Sequence, residues 1–457
     1  MKALRSLLIA SLLAVATTAS AQGSPFKFEF HGFVTGSTYM EDQVFVTGIG
    51  QGLMLGAPSP ANHLPIQVAP PGTVTTKSGT FLGGDIRQSR WIFAMSGPQV
   101  MGGATPKAYF EGDFFGMTAP GGLGYESAIP RIRQAFAELN WGNTQFQVGQ
   151  YSAQLLLAQI PASIAHIANP PTFGAGTLGW RPIGLRLIHA IPMDGFKIEL
   201  AAELAQSKWN DVGQSLGAQL GGDNGGAPAP INNTPGAVPM GWASGMPQVD
   251  ARVQVIGKSG GFSYQGYVAA YYESVNLKGF GDTNRSGTPA APGVVLQDGT
   301  RKTSVSPFVA ELGGKFNFAP VTLAFNAYTG KATGPLAGAM LQWGDIKDVG
   351  AWGQLGADLT KEFSLWVLYG FSSPDKKDVQ NWVNLAGANL TEFNSGLRGD
   401  NSVIGAMAKY QEGGYALSLE YYGYSTKYLT GNLAPGNSIG TKSESAYQVL
   451  LTGGYFF

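Results

Sequence analysis

The chain has 457 residues, with 29 basic and 29 acidic side chains, 66 glycines, 11% aromatics and no cysteine. Charged residues make up only 13%, about half the usual share of a soluble domain, and their balance gives no reason to expect nucleic acid or an anionic surface as the main partner. The lack of cysteine excludes a disulfide framework and a lipoprotein anchor, and a mean hydropathy of +0.00 excludes a helical membrane protein.

Lys2 and Arg5 precede an apolar run, LLIASLLAVA at 7–16, that is too short to span a bilayer. ASA at 19–21 then supplies small residues for cleavage. Residues 1–21 therefore read as an export signal peptide and 22–457 as one mature domain, the alternative being a retained membrane anchor. From there the dominant signal is alternation with period two. In FKFEFHGFV (26–34) Phe26, Phe28, Phe30 and Val34 oppose Lys27, Glu29 and His31. FKIELAAEL (196–204), VDARVQV (249–255), VTLAFNAY (321–328) and YALSLEYY (415–422) repeat the pattern.

These runs pair across short connections such as WGNTQ (141–145), KSGGF (258–262), NFAPV (317–321) and QEGGY (411–415). Between the pairs lie long segments rich in Gly, Pro and Asn, near 41–79, 116–130, 151–181, 207–246, 276–300, 334–349, 374–401 and 429–444. Short turns at one end and long loops at the other mark an antiparallel transmembrane β-barrel, with periplasmic turns and extracellular loops. Strands start near Phe26, Thr80, Pro106, Arg131, Thr144, Pro182, Phe196, Pro247, Phe262, Lys302, Val321, Gly350, Phe363, Ser402, Tyr415 and Ser445. That count is sixteen; 14 or 18 stays open, because QVFVTGI (43–49) could hide a strand. Tyr271, Tyr272, Tyr421, Tyr422, Trp141 and Trp366 fall near strand ends, where rings suit a bilayer interface.

The connection after the fifth strand, 151–181, holds no Asp, Glu or Lys, and only His166 before Arg181. A loop this apolar has no solvent-facing logic. Either it folds into the barrel, with Leu155, Leu156, Leu157 and Ile160 on the inner wall, or it is buried in a contact between copies. Folded inward it forms a constriction, with Gln154, Gln159, Ser163, His166, Asn169 and Arg181 as candidate lining residues. Parity adds arginines. Trp91, Phe93 and Met95 toward lipid turn Arg90 and Gln88 inward; Ile132 and Phe136 outward turn Arg131 and Arg133 inward; Ile183, Leu185 and Leu187 outward turn Arg186 inward. Plain solvated wall residues are the alternative reading of any one of them.

RIRQAFAEL (131–139) followed by FQVGQ (146–150) resembles the hairpin of strands four and five in the trimeric general porins. DIRQSRWIF (85–93) resembles the second strand of the DcaP-like porins. The resemblance implies a homotrimer of 16-stranded barrels, each with a pore narrowed by its third loop. It also implies a basic ladder facing acids on that loop. Arg90, Arg133 and Arg186 match the ladder, whereas 151–181 has no acid, and the nearest lumen-facing carboxylates are Glu29, Glu111 and Asp113. The coiled-coil extension of DcaP-like members is also missing, so no dicarboxylate specificity carries over. Unopposed arginines beside an uncharged loop point to mild anion preference or to neutral polar solutes.

GKS (257–259) lacks the rest of a phosphate loop and reads as part of a hairpin turn. His31, His63, His166 and His189 are scattered, there is no HExxH, and no GxSxG appears, so no metal site, cofactor or catalytic centre is expected. The expected function is passive diffusion of small hydrophilic solutes or ions across the outer membrane of a Gram-negative bacterium. The alternative is a structural or adhesion barrel with a plugged lumen. In AYQVLLTGGYFF (446–457) Val449, Leu451, Tyr455 and Phe457 share the lipid-facing parity. This stretch reads as the closing strand, and its end resembles the signal by which outer-membrane assembly machinery recognises its clients.

Overall fold

A computed structural model describes residues 25–42, 80–116, 128–151, 155–207, 209, 241, 244–277, 294–296, 298–342, 344–382, 398–430 and 440–457. Residues 1–21, read above as a signal peptide, the 43–49 run, His63 and Gln154 lie outside these residues.

Sixteen antiparallel strands form one closed barrel. They are β1 (Lys27–Glu41), β2 in two pieces (Phe81–Asp85 and Arg90–Ser96), β3 (Thr105–Asp113), β4 (Arg131–Asn140) and β5 (Thr144–Gln150). There follow β6 (Ile183–Met193), β7 (Phe196–Ala205), β8 (Gln248–Ser259), β9 (Phe262–Tyr272), β10 (Phe308–Phe318) and β11 (Val321–Lys331). The set ends with β12 (Lys347–Asp358), β13 (Phe363–Pro374), β14 (Arg398–Glu412), β15 (Tyr415–Thr430) and β16 (Gly440–Phe456). Each strand pairs with the next in sequence, and β16 returns to β1 with Phe33 opposite Phe456 and Glu41 opposite Gln448. Closure leaves no sheet edge, which a barrel in hydrocarbon requires. Among the described residues no helix is long and apolar enough to cross a membrane.

Alternation does the sorting. On β16, Leu451 and Tyr455 point outward at 50% and 57% exposure, while Leu450 and Thr452 are fully buried. The two-residue turn 260–261 places GKS at the end of β8 rather than in the turn itself. β10 begins at Phe308, later than expected, because Lys302 belongs to a small ribbon, Arg301–Lys302 against Val294–Val295. Three of the aromatics assigned to the bilayer interface point inward instead. Tyr271 and Tyr422 are 1% and 2% exposed, and Trp366 donates to Ser364 Oγ across the inner face.

Parity breaks at one place that matters. Glu111 pairs with Gln134 but Gly112 pairs with Ile132, so Arg133 is an extra residue, a β-bulge. A bulge sets two successive side chains on one face. Arg133 and Gln134 are both buried on the inner side, and Phe136, expected toward lipid, turns inward against Tyr109 at 5.2 Å between ring centroids. β2 is interrupted at 86–89, where Arg87 folds inward onto Asp85 at 2.6 Å and over Phe115 at 4.5 Å. The wall is also uneven: β5 has 7 residues and β16 has 17.

Gly149 has φ +135, and a Cβ there would lie 2.2 Å from the Ala135 carbonyl oxygen. Gly36, on the outer face, would meet nothing within 4 Å. Gly149→Ala is expected to lose about 1–3 kcal/mol of barrel stability and Gly36→Ala almost none, read as the folded, heat-modifiable fraction on gels after refolding into detergent.

Candidate functional site

The third long connection, here called L3, leaves β5 after Tyr151 and enters the barrel. It has almost no secondary structure of its own, so its backbone N–H and C=O groups need partners inside a water-poor space. The wall supplies them from side chains. Arg252 on β8 donates to the Leu155 carbonyl at 3.3 Å. Gln354 on β12 grips Ala162 from both sides, accepting its N–H at 2.7 Å and donating to its carbonyl at 2.9 Å. Glu420 on β15 accepts Ser163 Oγ at 2.6 Å, the Ile164 N–H at 2.9 Å and the Ala165 N–H at 2.8 Å. Gln88, in the break of β2, accepts the Ile167 N–H at 2.7 Å and donates to the Ile164 carbonyl at 3.1 Å. On the return path Tyr424, Asn401 and Asn326 donate to the carbonyls of Pro171, Gly174 and Gly176.

Apolar contacts complete the docking. Leu156 and Leu178 pack with Tyr267, Tyr271, Val309 and Tyr328, and Ala165 and Ala175 with Trp352, Leu368, Tyr422 and Leu450. Leu155 and Leu156 are on the inner wall as expected, at 1% exposure each, but Ile160 is 45% exposed and Leu157 partly so. L3 thus covers the wall from β8 round to the break in β2. The uncovered arc runs over β2 to β8.

That arc carries the arginines. Arg90 on β2 meets Glu111 on β3 at 3.2 Å. The bulge residue Arg133 bridges Glu111 at 2.7 Å and Asp113 at 2.8 Å, and Arg131 meets Asp113 at 2.8 Å. Arg186 on β6 meets Glu203 on β7 at 2.5 Å, and Arg252 meets Glu199 at 3.6 Å. The expectation of unopposed arginines is therefore corrected: acids on neighbouring strands pair with them, because cross-strand neighbours of one parity share a face. Two features remain uncompensated. Arg90 Nε and Nη2 are buried with no hydrogen-bond partner among the described residues. Arg181, at the end of L3 and stacked over Trp180, has no ion pair among the described residues. The charges acting on it include Arg133, Arg131 and Arg90, with Asp113 opposing them.

The other expected site residues separate. Glu29 stands far out of this cluster, exposed near the short-turn end and 3.3 Å from His31. Ser163 and His166 serve docking rather than lining: His166 is 2% exposed and donates from Nε2 to Gln448 Oε1 at 2.8 Å, with its ring edge-on to Tyr422. Gln159 and Asn169 stay partly exposed on the lumen side of L3. His189, assigned to the outer face, bonds Thr144 Oγ1 at 2.9 Å. Glu420, Gln354 and Arg252 were not foreseen as site residues, although simple parity puts all three inward. Among the described residues no group of His, Cys, Asp and Glu is arranged to hold a metal ion.

Removing the Glu420 carboxylate leaves three buried L3 donors unmatched, at about 1–3 kcal/mol each. Glu420→Ala is expected to raise amide exchange across 160–169 by orders of magnitude while the barrel strands keep their protection. Burial holds the His166 imidazole below its ordinary 6.5, against the opposing pull of Glu420 and Asp85. The docked loop therefore binds a proton less readily than the free loop, so docking is at full strength above that ordinary value and weakens as pH falls below it. Protection at 160–169, with the slowing of intrinsic exchange at lower pH divided out, is expected to fall between pH 7 and pH 5, and His166→Gln to remove that dependence.

No protein-family model matches the chain, and no curated protein matches its sequence. Among solved structures it is similar to the outer membrane channel DcaP of Acinetobacter baumannii, with a TM-score of 0.58 and 13% identity over 95% of this chain and 99% of that one. Pseudomonas putida OprB matches at 0.49 and 9% identity, over 94% of each chain. Salmonella typhi OmpF matches at 0.47 and 12%, over 95% of this chain and 98% of that one. Identity so low speaks for the fold alone: a closed 16-stranded antiparallel barrel similar to that of the DcaP channel.

Proposed function

We propose that the chain is an outer-membrane channel through which small hydrophilic solutes and ions diffuse passively, with a preference for anions. The observation that carries this reading is the arc left free by L3. Six guanidiniums, Arg90, Arg131, Arg133, Arg181, Arg186 and Arg252, share the arc with five inward carboxylates, Glu111, Asp113, Glu199, Glu203 and Asp250, while Arg87 with Asp85 and Lys107 with Glu138 form neutral pairs. A positive excess inside low-dielectric walls concentrates anions and repels cations, most strongly at low salt. L3 itself brings no charge before Arg181, so it limits size without adding an opposing field. No chemical step is part of this function.

The membrane setting follows the same logic. Outward positions are mostly apolar, Leu185, Leu200, Val253, Leu323, Val367 and Leu419 among them; the short turns belong at the periplasmic face and the long connections outside. Residues 1–21 fit export, and Tyr455 and Phe457 fit recognition by the assembly machinery. A homotrimer suits the low side of the wall: β5 has 7 residues, below the roughly 9–11 that a tilted strand needs to cross hydrocarbon. A second copy packed there would shield that side from lipid.

In planar bilayers a KCl gradient is expected to give a reversal potential of anion-preferring sign. Arg181→Gln removes a charge without stranding a carboxylate and is expected to shift the ratio of Cl⁻ to K⁺ permeability toward unity. Arg133→Ala removes a charge shared between Glu111 and Asp113, which keep Arg90 and Arg131 as partners, and is expected to move the ratio in the same direction. An electrically silent protein would support the plugged structural barrel instead. On semi-native gels a heat-sensitive trimer band is expected, reduced in yield by Phe457→Ala; a monomer band alone would remove the homotrimer.

A further inference from the structure

The free lumen is framed by two unlike surfaces. On the loop side, L3 leaves several aliphatic side chains uncovered: Leu157, Ile160, Ile164 and Ile167 are all at least partly exposed, Ile160 at 45%. Glu420 and Gln88 hold the backbones of Ile164 and Ile167, and Gln354 holds Ala162 two residues beyond Ile160, so this stretch of the loop is anchored to the wall on the C-terminal side of Ile160. The arginine side has apolar surface as well. Through the bulge Phe136 turns inward, its ring 5.9 Å from that of Tyr151, over which Arg186 stacks at 4.2 Å. A channel for fully hydrated ions has no use for branched aliphatics at its inner edge, since they bind neither the ion nor its water. Recognition sites for organic molecules combine the same two elements, apolar surface for the body and a few placed charges for orientation.

We propose that the preferred solutes are amphipathic organic anions, small aryl or alkyl carboxylates and sulfonates, rather than hydrophilic anions of similar size. The acid group lies along the arginines, of which Arg131 keeps 23% of its side chain exposed and Arg252 14%. The apolar body slides along Ile160 and its neighbours. Both contacts are partial, as transport requires: attraction raises occupancy, and incomplete burial lets the solute leave. This proposal rests on the anion-preferring reading given above and names the solute class for it.

The probe pair is benzenesulfonate and isethionate, both ionised at any working pH, so neither leaks through lipid as a neutral acid. Bi-ionic reversal potentials across bilayers holding the full-length protein give their permeability ratio. A plain water-filled pore passes the smaller isethionate faster; this channel is expected to favour benzenesulfonate. Ile160→Ser removes contact worth about one methylene of transfer, so the ratio is expected to fall about fourfold. Ile160→Val is expected to restore most of it, and the Cl⁻ to K⁺ ratio should stay unchanged in both variants. Ile160 is exposed and makes no docking bond among the described residues, so the barrel and its loop should assemble normally in either variant. A ratio below unity in the unaltered protein, or one that Ile160→Ser leaves unchanged, overturns the proposal while leaving anion preference intact. A pore with no preference for Cl⁻ over K⁺ overturns the anion reading and this proposal with it.

Discussion

An irregular loop can lie inside a barrel only if something answers its backbone hydrogen-bonding groups, and every functional feature of this chain depends on how that is done. A helix or strand would satisfy its own backbone; L3 does not. The wall therefore carries inward side chains with no other evident purpose: Gln354 grips Ala162, Gln88 grips Ile164 and Ile167, and Glu420 gathers Ser163, Ile164 and Ala165. Glu420 also accepts from Ser418 and Tyr422, so a buried carboxylate ends up surrounded by five donors. Such a group is costly to bury alone and strongly held once satisfied. The position of the loop, and with it the shape of the free lumen, follows from where those few side chains stand.

Where the loop is absent the wall solves a different problem. Arginines packed side by side would repel, and the carboxylates of the neighbouring strands lie at matching parity to relieve them. The bulge at Arg133 strengthens this arrangement. It sets Arg133 and Gln134 on one face, and Glu111 takes a hydrogen bond from each. Pairing keeps the guanidiniums in fixed positions, while Arg181 has no ion pair among the described residues. Fixed donors with a small positive excess suit weak, repeated contact with passing anions better than a deep well would.

Much of the barrel was legible in the sequence because its signal is local. Alternation places Phe28 and Val34 outward and Ser37 inward with no knowledge of other strands, and the short connections fix the pairing. The apolar composition of 151–181 foretold an inward loop for the same reason. What was hidden depends on contacts distant in the chain. Glu420 meets Ser163 across 257 residues, and nothing in YALSLEYY says that its single acid will hold a loop. The bulge was hidden too, since RIRQAFAEL alternates well enough to suggest Phe136 toward lipid. Only the partner strand, where Glu111 and Gly112 pair out of step, shows the extra residue. Tyr271 and Tyr422 misled in another way, because a doublet such as YY has one ring on each face and composition alone does not choose.

The most direct test of the loop's place uses the absence of cysteine from the chain. Cysteines introduced at Ile160 and at Gly413, in a turn at the other end of the barrel, can be spin-labelled and their separation measured in lipid. A loop clamped by Gln88, Gln354 and Glu420 gives one narrow distance distribution that places residue 160 within the barrel. A broad distribution, or distances that place it beyond the mouth among the long connections, would contradict the account.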